Sequence, residues 1–546
     1  MKRTFANLHF DVKAVSQIAP ILALISTCIF SYGLCGPRIG WLSDDYNEVF
    51  GVSSAVPDWR TAFMMGGAGH WSPYRLLKYP LEGYLGCWLG PSYAHILQFA
   101  SHIICVILFY TLLKRVKWST PASLAAGMLF CAFPWISQAV YWWAAATTIW
   151  ATILVLGAAH CLILWRETHF RRWLIAYACL VVLSLLLYEL WLGGFIFFAA
   201  LDWYHQNTEK SDLATANRKS LQRNPDSLWR YGKIAVPFVV YGVLCWIAPS
   251  SEISDRISLR LSRLPALLAL VHLRAAQWPL DTQWRWAFLN ADKAFHSTCG
   301  VLCFAIEAAI LLVLGYVWIR KCRDGSLTNN SVPLWHSVLL GWGIFLGSRI
   351  ALILQGYISR YDTRENYAAS MGVAIVVIAV VSTLIHSGNV NNWFRAVGGA
   401  MILGIVAVLG WTSTGIGVHY VLTSTAEAQT IRQLDRWLSA SPYEVSGVTI
   451  VVVAGASSIS HGTVELSYFG EHDGALLGYA IRQRCEHCNV FVTGEVECID
   501  NRSTIVLRDP VDLTRSAPGG RWVLDERTAL FRWTGHDLVP EDLPCQ

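Results

Sequence analysis

Apolar runs of about 15–22 residues recur through the first 416 residues of this chain, and no water-soluble domain can bury so many in succession. They lie near 18–34, 93–113, 119–138, 142–165, 173–188, 190–204, 234–249, 299–319, 335–354, 367–385 and 396–416. A helix needs about 20 residues to cross the hydrocarbon core, and somewhat fewer inside a bundle. The pattern therefore predicts an all-α polytopic membrane bundle of about 11 transmembrane helices. Composition agrees, with 54% hydrophobic and 14% charged residues and a mean hydropathy of +0.41. The 26 Trp suit the headgroup level, where an amphipathic ring is stable on both sides. A net charge of +5 with no basic stripe excludes a nucleic-acid binder.

Charge sets the sidedness. Lys2, Arg3 and Lys13 precede a long first run without a small-residue cleavage site, which predicts an uncleaved first span with its start inside. The fifth and sixth runs turn around Tyr188-Glu189; counted as two spans, they leave the basic clusters that hug span ends inside. Those clusters are Lys114-Arg115 with Lys117, then Arg166 with Arg171 and Arg172, and Arg320-Lys321 with Arg323. The segment 205–233 adds Lys210, Arg218, Lys219, Arg223, Arg230 and Lys233. Counting 173–203 as one span would put the Arg320 cluster outside, against the positive-inside rule.

The outer side then receives loop 35–92, loop 250–298 and a tail from about 417 to 546. The second loop carries Arg256, Arg260, Arg263 and Trp284-Arg285-Trp286, an apolar and basic pattern suited to the interface. The tail opens with a helical stretch, Ala426–Leu438, followed by a strand-like run, Gly447–Ala454. Alternation at Thr463–Phe469, Val490–Thr493 and Thr504–Leu507, with a helix near Gly474–Arg484, predicts a small C-terminal α/β domain, extracytoplasmic by this count. The expected division is thus 1–416 for the membrane domain and 417–546 for the tail. Cys485, Cys488, Cys498 and Cys545 are an even set on an oxidising side and read as disulfides. Cys485-Glu486-His487-Cys488 could alternatively seed a zinc site with His487 or Cys498.

Just past the outer end of the first span stands an acidic pair, Asp44-Asp45. Adjacent carboxylates at a bilayer surface repel each other and gain nothing from lipid, which makes them candidates for chemistry. Asp45-x-x-Glu48 also fits a plain capping box at the start of an interfacial helix. Glu189, between Leu185-Leu186-Leu187-Tyr188 and Leu190-Trp191-Leu192-Gly193-Gly194, reads as a carboxylate buried among the spans and so as a functional one. Outward-facing cations suited to a phosphate are Arg360, Arg364, Arg75 and Lys78. His70, in the same loop as the pair, is a weaker polar candidate.

Four further stretches accompany the pair in order: His70-Trp71-Ser72-Pro73-Tyr74-Arg75 with Tyr79-Pro80, then Phe133-Pro134 with Val140 through Trp143, then Tyr188-Glu189, and Ser359-Arg360-Tyr361 through Asn366 to Ser370. With a first span followed by acidic residues and an outer tail, residues 20–420 resemble the GT-C class of membrane glycosyltransferases, of which protein O-mannosyltransferases are familiar members. The resemblance implies a polyprenyl-phosphate-linked sugar donor and a hydroxyl acceptor on a lipid-linked glycan, a polysaccharide or a protein. It also implies inverting displacement with the first acidic residue, Asp44, as base, and Asp45 orienting the acceptor or tuning its neighbour. It fixes no cofactor and leaves room for a divalent cation. The setting it implies is a bacterial inner membrane rather than the endoplasmic reticulum. Departures are the Asp-Asp pair, where protein O-mannosyltransferases carry Asp-Glu, and Asp362 within the arginine-tyrosine element.

Two other classes fit the same residues less well. A transporter would show matching halves and ionisable groups near the midplane, whereas here no halves match and the acidic residues gather at one face. An O-antigen-type polymerase or ligase would carry its main outer loop late and rely on arginines. The topology is directly testable: a reporter active only in the cytoplasm, fused after Gln546, should be silent, and activity there would invert the assignment.

Overall fold

The computed structural model describes residues 12–42, 45, 49, 77–78, 80–216, 227–247, 282–323, 334–355, 366–386 and 391–440, together with seven strands between 449 and 541. Each apolar run of the membrane portion coincides with helix, because a chain rich in Leu, Ala and Ile satisfies its backbone internally only in that form. The α-helices are α1 (Val12–Cys28), α2 (Leu85–Arg115), α3 (Thr120–Ala132), α4 (Ser137–Tyr141), α5 (Ala146–Thr168), α6 (Arg171–Leu187) and α7 (Gly194–Ala216). They continue as α8 (Ser227–Ile247), α9 (Thr282–Asn290), α10 (Thr298–Arg323), α11 (Leu334–Gln355), α12 (Asn366–His386) and α13 (Asn392–Ala440).

Helix and crossing are separate matters. Among the described residues, six helices are long and apolar enough to cross a membrane: Ile18–Arg38, Leu81–Arg115, Trp143–Thr168, Thr298–Arg320, Asn366–Ile385 and Asn392–Thr425. A seventh is the pair α3 and Pro134–Tyr141, bent by 54°. The bend has a local cause: Pro134 lacks an N–H, and Phe133 before it is extended, with ψ 120. The turn expected at Tyr188-Glu189 is present. Tyr188 is extended at φ −159 and ψ 124, and a 3₁₀ turn over Glu189–Gly193 separates α6 from α7.

The last helix differs from its reading. The final span and the stretch 426–438 form one 49-residue helix, roughly 74 Å long, because neither Gly nor Pro interrupts residues 418–440. The boundary drawn at 416/417 therefore falls inside a continuous helix. Beyond it, β1 (Thr449–Ala454), β2 (Asn489–Thr493), β6 (Thr528–Trp533) and β7 (Leu538–Glu541) form a sheet in the order β2-β1-β6-β7. In it β1 runs parallel to β2 and β6, while β7 is antiparallel to β6. A second, antiparallel sheet joins β3 (Val496–Ile499), β4 (Arg502–Val506) and β5 (Arg521–Val523). Trp437 of α13 meets Phe531 of β6 edge-on at 5.1 Å. The stretches 463–469 and 474–484, Cys485, Cys488 and Cys545 lie outside the described residues, as does the side chain of Cys498.

Helix packing relies on close backbone approach and on alcohols bonding across helices. Gly341 of α11 and Gly372 of α12 face each other: a Cβ at Gly341 would lie 2.6 Å from the Gly372 carbonyl oxygen, and a Cβ at Gly372 would fall on that of Gly341. Tyr32 donates to the carbonyl of Phe133, and Thr414 Oγ1 to the Phe30 carbonyl at 2.6 Å. Glu307, in the largely exposed α10, accepts from Ser26 Oγ at 2.7 Å and Thr27 Oγ1 at 2.8 Å. At the inner ends expected from the basic clusters, Arg115 pairs with Glu167 at 2.6 Å and Arg166 with Asp202 at 2.7 Å. Gly372→Val should destabilise the bundle by about 1–3 kcal/mol through overpacking. Thermal unfolding in detergent measures this, with Gly404→Ala, where a Cβ meets nothing within 4 Å, as the unaffected control.

Candidate functional site

Helix α5 begins deep in protein, and its first N–H groups need acceptors there. A 3₁₀ turn over Trp143–Ala145 leads into it. Two carboxylates from the flanks of loop 35–92 meet this helix end. Asp45, fully buried, accepts from the Ala144 N–H at 2.7 Å through Oδ1 and from the Leu42 N–H at 3.0 Å through Oδ2. Its own N–H donates to the Leu42 carbonyl at 2.8 Å. Glu82, also fully buried, accepts from the Thr147 N–H at 2.9 Å through Oε1. Its Oε2 lies 3.2 Å from Lys78 Nζ, and its carbonyl accepts from Trp143 Nε1 at 2.8 Å.

The positive end of the helix dipole stabilises both carboxylates, by about 0.3–1 kcal/mol each at the surface and up to ~2 when partly buried. The two ends of the long acidic-pair loop are thereby fastened to one helix start. This joins two stretches that the sequence treated separately, the acidic pair and the Val140–Trp143 turn. Asp45 caps the start of α5 from across the bundle, through the Ala144 N–H.

Glu189 is buried at the head of the 3₁₀ turn, as its apolar flanks imply. The same turn places Trp191 Nε1 at 3.3 Å from Thr152 Oγ1 of α5, so Glu189 belongs to a turn packed on the first turns of the helix that holds Asp45 and Glu82. Gly193 closes the other side: a Cβ there would lie 2.7 Å from the Gly347 carbonyl of α11 and fall on Ile350. Arg349, between those two residues, is 9% exposed.

Of the expected site residues, Asp45 and Lys78 (through Glu82) meet the start of α5, and Glu189 lies on the turn packed against its first turns. Lys78, expected to face a phosphate, is buried in an ion pair with Glu82. Asp44, His70, Arg75, Arg360 and Arg364 lie outside the described residues, as do Glu48, Arg256, Arg260, Arg263 and Asp362. Sequence reading passed over Glu82, Arg349 and Glu307. The last two were legible as single charges inside apolar runs, where an ionisable group needs a reason. Glu82 carried no such signal. Among the described residues no three His, Cys, Asp or Glu side chains are arranged to hold a metal ion. Asp45 and Glu82 give their carboxylate oxygens to N–H groups and to Lys78, so this donor set does not fit a cation.

No family model matches the chain, and no curated protein matches it. Among solved structures it is similar to the oligosaccharyltransferase of Archaeoglobus fulgidus tethered with an acceptor peptide, at TM-score 0.40 and 11% identity, covering 87% of this chain and 64% of that one. The same enzyme in complex with Zn and sulfate gives TM-score 0.36 and 13% identity, over 86% and 62% of the two chains. Its complex with an inhibitory peptide and a dolichol-phosphate gives TM-score 0.35 and 13% identity, over 81% and 62%. The chain thus spans less than two thirds of the length of these structures. At TM-scores of 0.40 and below, such a likeness settles neither fold nor activity.

Breaking the buried ion pair from one side leaves a charge without its partner, which costs about 3–5 kcal/mol. Lys78→Met alone should therefore lower stability more than Lys78→Met combined with Glu82→Gln. A thermal-unfolding double-mutant cycle in detergent measures this, and additive losses would show that the two groups are not coupled.

Proposed function

We propose that this protein is a multi-pass membrane glycosyltransferase that moves a sugar from a polyprenyl-phosphate carrier to a hydroxyl acceptor on the extracytoplasmic side. The observation that carries the reading is the way Asp45 is held. Both of its carboxylate oxygens accept backbone N–H groups, at the start of α5 and at Leu42. A carboxylate so engaged and fully buried serves to hold the chain. The chemistry of the acidic pair then falls to Asp44, the adjacent residue.

In this reading Asp44 takes the proton of the acceptor hydroxyl as its oxygen attacks the anomeric carbon. The bond from that carbon to the lipid phosphate breaks, its electron pair leaves with the phosphate, and the configuration inverts. The departing phosphate gathers negative charge and calls for guanidinium forks, for which Arg360, Arg364 and Arg75 are the candidates. Lys78 contributes at one remove, through Glu82, by fastening the far end of the loop. Glu189 supports the site from its turn on α5. The polar loop element at His70 is assigned to the acceptor side. No step is routed through a metal ion.

Asp44→Asn keeps shape but cannot take up the proton, so turnover should fall by roughly 10²–10⁴ while donor binding persists. Arg360→Ala should weaken donor binding instead. Transfer of labelled sugar from a polyprenyl phosphate in liposomes measures both. Full turnover in Asp44→Asn would exclude it as the base.

A further inference from the structure

Two polar side chains on one face of α2, His95 and Gln98, are fully buried. Gln98 Nε2 donates to the carbonyls of Ala139 at 2.6 Å and Trp142 at 2.7 Å. Both amide hydrogens are thus used, and the opposite amide orientation would set Oε1 against two carbonyl oxygens. Oε1 therefore faces His95 Nδ1, at 3.3 Å. The other ring nitrogen, Nε2, lies 3.2 Å from the Gly40 carbonyl; a neutral imidazole carries one N–H, and placed on Nε2 it donates to that carbonyl. The indole of Trp41 lies beside the imidazole, with ring centroids 6.2 Å apart.

This pair, three residues apart on a helix, connects two segments that have no covalent reason to stay in register. One is Gly40–Leu42, held from its far side by Ser424 Oγ, which accepts from the Gly40 N–H at 3.0 Å. The other is the turn Ala139–Trp142, which reaches back through Trp142 Nε1 to the Leu42 carbonyl at 3.2 Å. These segments supply the two N–H groups that Asp45 bridges: Leu42 directly, and Ala144 two residues beyond Trp142. The separation of those donors decides whether one carboxylate can span them.

We propose that His95 is a positioning residue for the acidic pair, setting through a hydrogen bond from its Nε2–H to the Gly40 carbonyl the spacing at which Asp45 bridges Leu42 and Ala144. The proposal rests on the reading that the pair carries out the transfer. His95 touches no reacting group; it acts through backbone. A displacement of about 1 Å in a reacting group can cost about 10²-fold in rate, so loss of this spacing should appear in kcat.

The test uses three variants of the full-length protein. His95→Leu removes both polar contacts. His95→Asn places its amide near the Nδ1 position and cannot reach Gly40, whereas His95→Gln carries an amide nitrogen out to the Nε2 position. Expected are a kcat loss of about 10–100-fold in His95→Leu and His95→Asn, an unchanged donor KM, and recovery of most of the rate in His95→Gln. Hydrogen exchange over Gly40–Asp45 should quicken in His95→Leu and return toward the wild-type rate in His95→Gln. Wild-type kcat in His95→Leu would overturn the proposal. So would equal losses of kcat and folded protein in all three, since that pattern marks a merely structural residue. If the wild-type protein transfers no sugar from a polyprenyl phosphate, the functional reading falls. Hydrogen exchange still decides positioning in that case: unchanged exchange in His95→Leu refutes it, and quickened exchange rescued by Gln upholds it.

Discussion

A helix that starts in an apolar interior must find acceptors for its first N–H groups, and α5 finds them in two carboxylates brought from elsewhere in the chain. Asp45 takes the N–H of Ala144 and Glu82 that of Thr147. Each side gains from the arrangement. Two N–H groups at the helix start find protein acceptors, and two buried carboxylates sit at the positive end of a dipole. Lys78 adds a full positive charge at 3.2 Å from Glu82, which makes burial of the second carboxylate tolerable.

The rest of this end of the bundle is organised around that junction. The 3₁₀ turn bearing Glu189 docks on α5 through Trp191 and Thr152, and on α11 through Gly193. Gln98 fixes the turn leading to α5, and Trp142 fixes Leu42. Lower in the bundle the same economy holds, with alcohols of one helix bonded to carbonyls of another: Tyr141 to Ser31 at 3.0 Å, Ser413 to Ala132 at 2.9 Å, Thr414 to Phe30. In hydrocarbon these bonds compete with no water, so they set helix register where the hydrophobic effect between spans is weak. A site of this kind resists small displacements because it stands on helices and helix turns and not on an isolated loop.

Much of the architecture was legible in the residues. Long apolar runs gave the helices, and the polar interruption at Tyr188-Glu189 gave the break between α6 and α7, whereas the run 119–138 was drawn straight through Pro134, where the chain bends. In the tail, the β-branched run ending at Ala454 and the alternation near Val490 and Thr504 are strands. The division drawn at residue 416 missed that the last helix continues. Hydropathy falls there, yet helix propensity does not, and with no Gly or Pro the backbone has no cause to stop. Of the candidate residues, Asp45 was singled out as half of an acidic pair past the first span, and Glu189 by charge in apolar surroundings. Glu82 was not, since a glutamate beside Leu81 and Gly83 in an outer loop looks like any solvated one.

Sequence by itself determined that the chain is a multi-pass membrane protein, where its helices lie, and that an acidic pair stands past the first of them. Those properties depend on composition and period, which are local. Tertiary structure alone decided what the charges do: that Asp45 bridges Leu42 and Ala144, and that Lys78 is paired with Glu82. It alone showed that His95 and Gln98 tie Gly40 to the turn before α5. A hydrogen bond requires two groups to meet within about 3 Å, and residues 99 positions apart, like Asp45 and Ala144, carry no local sign of that meeting.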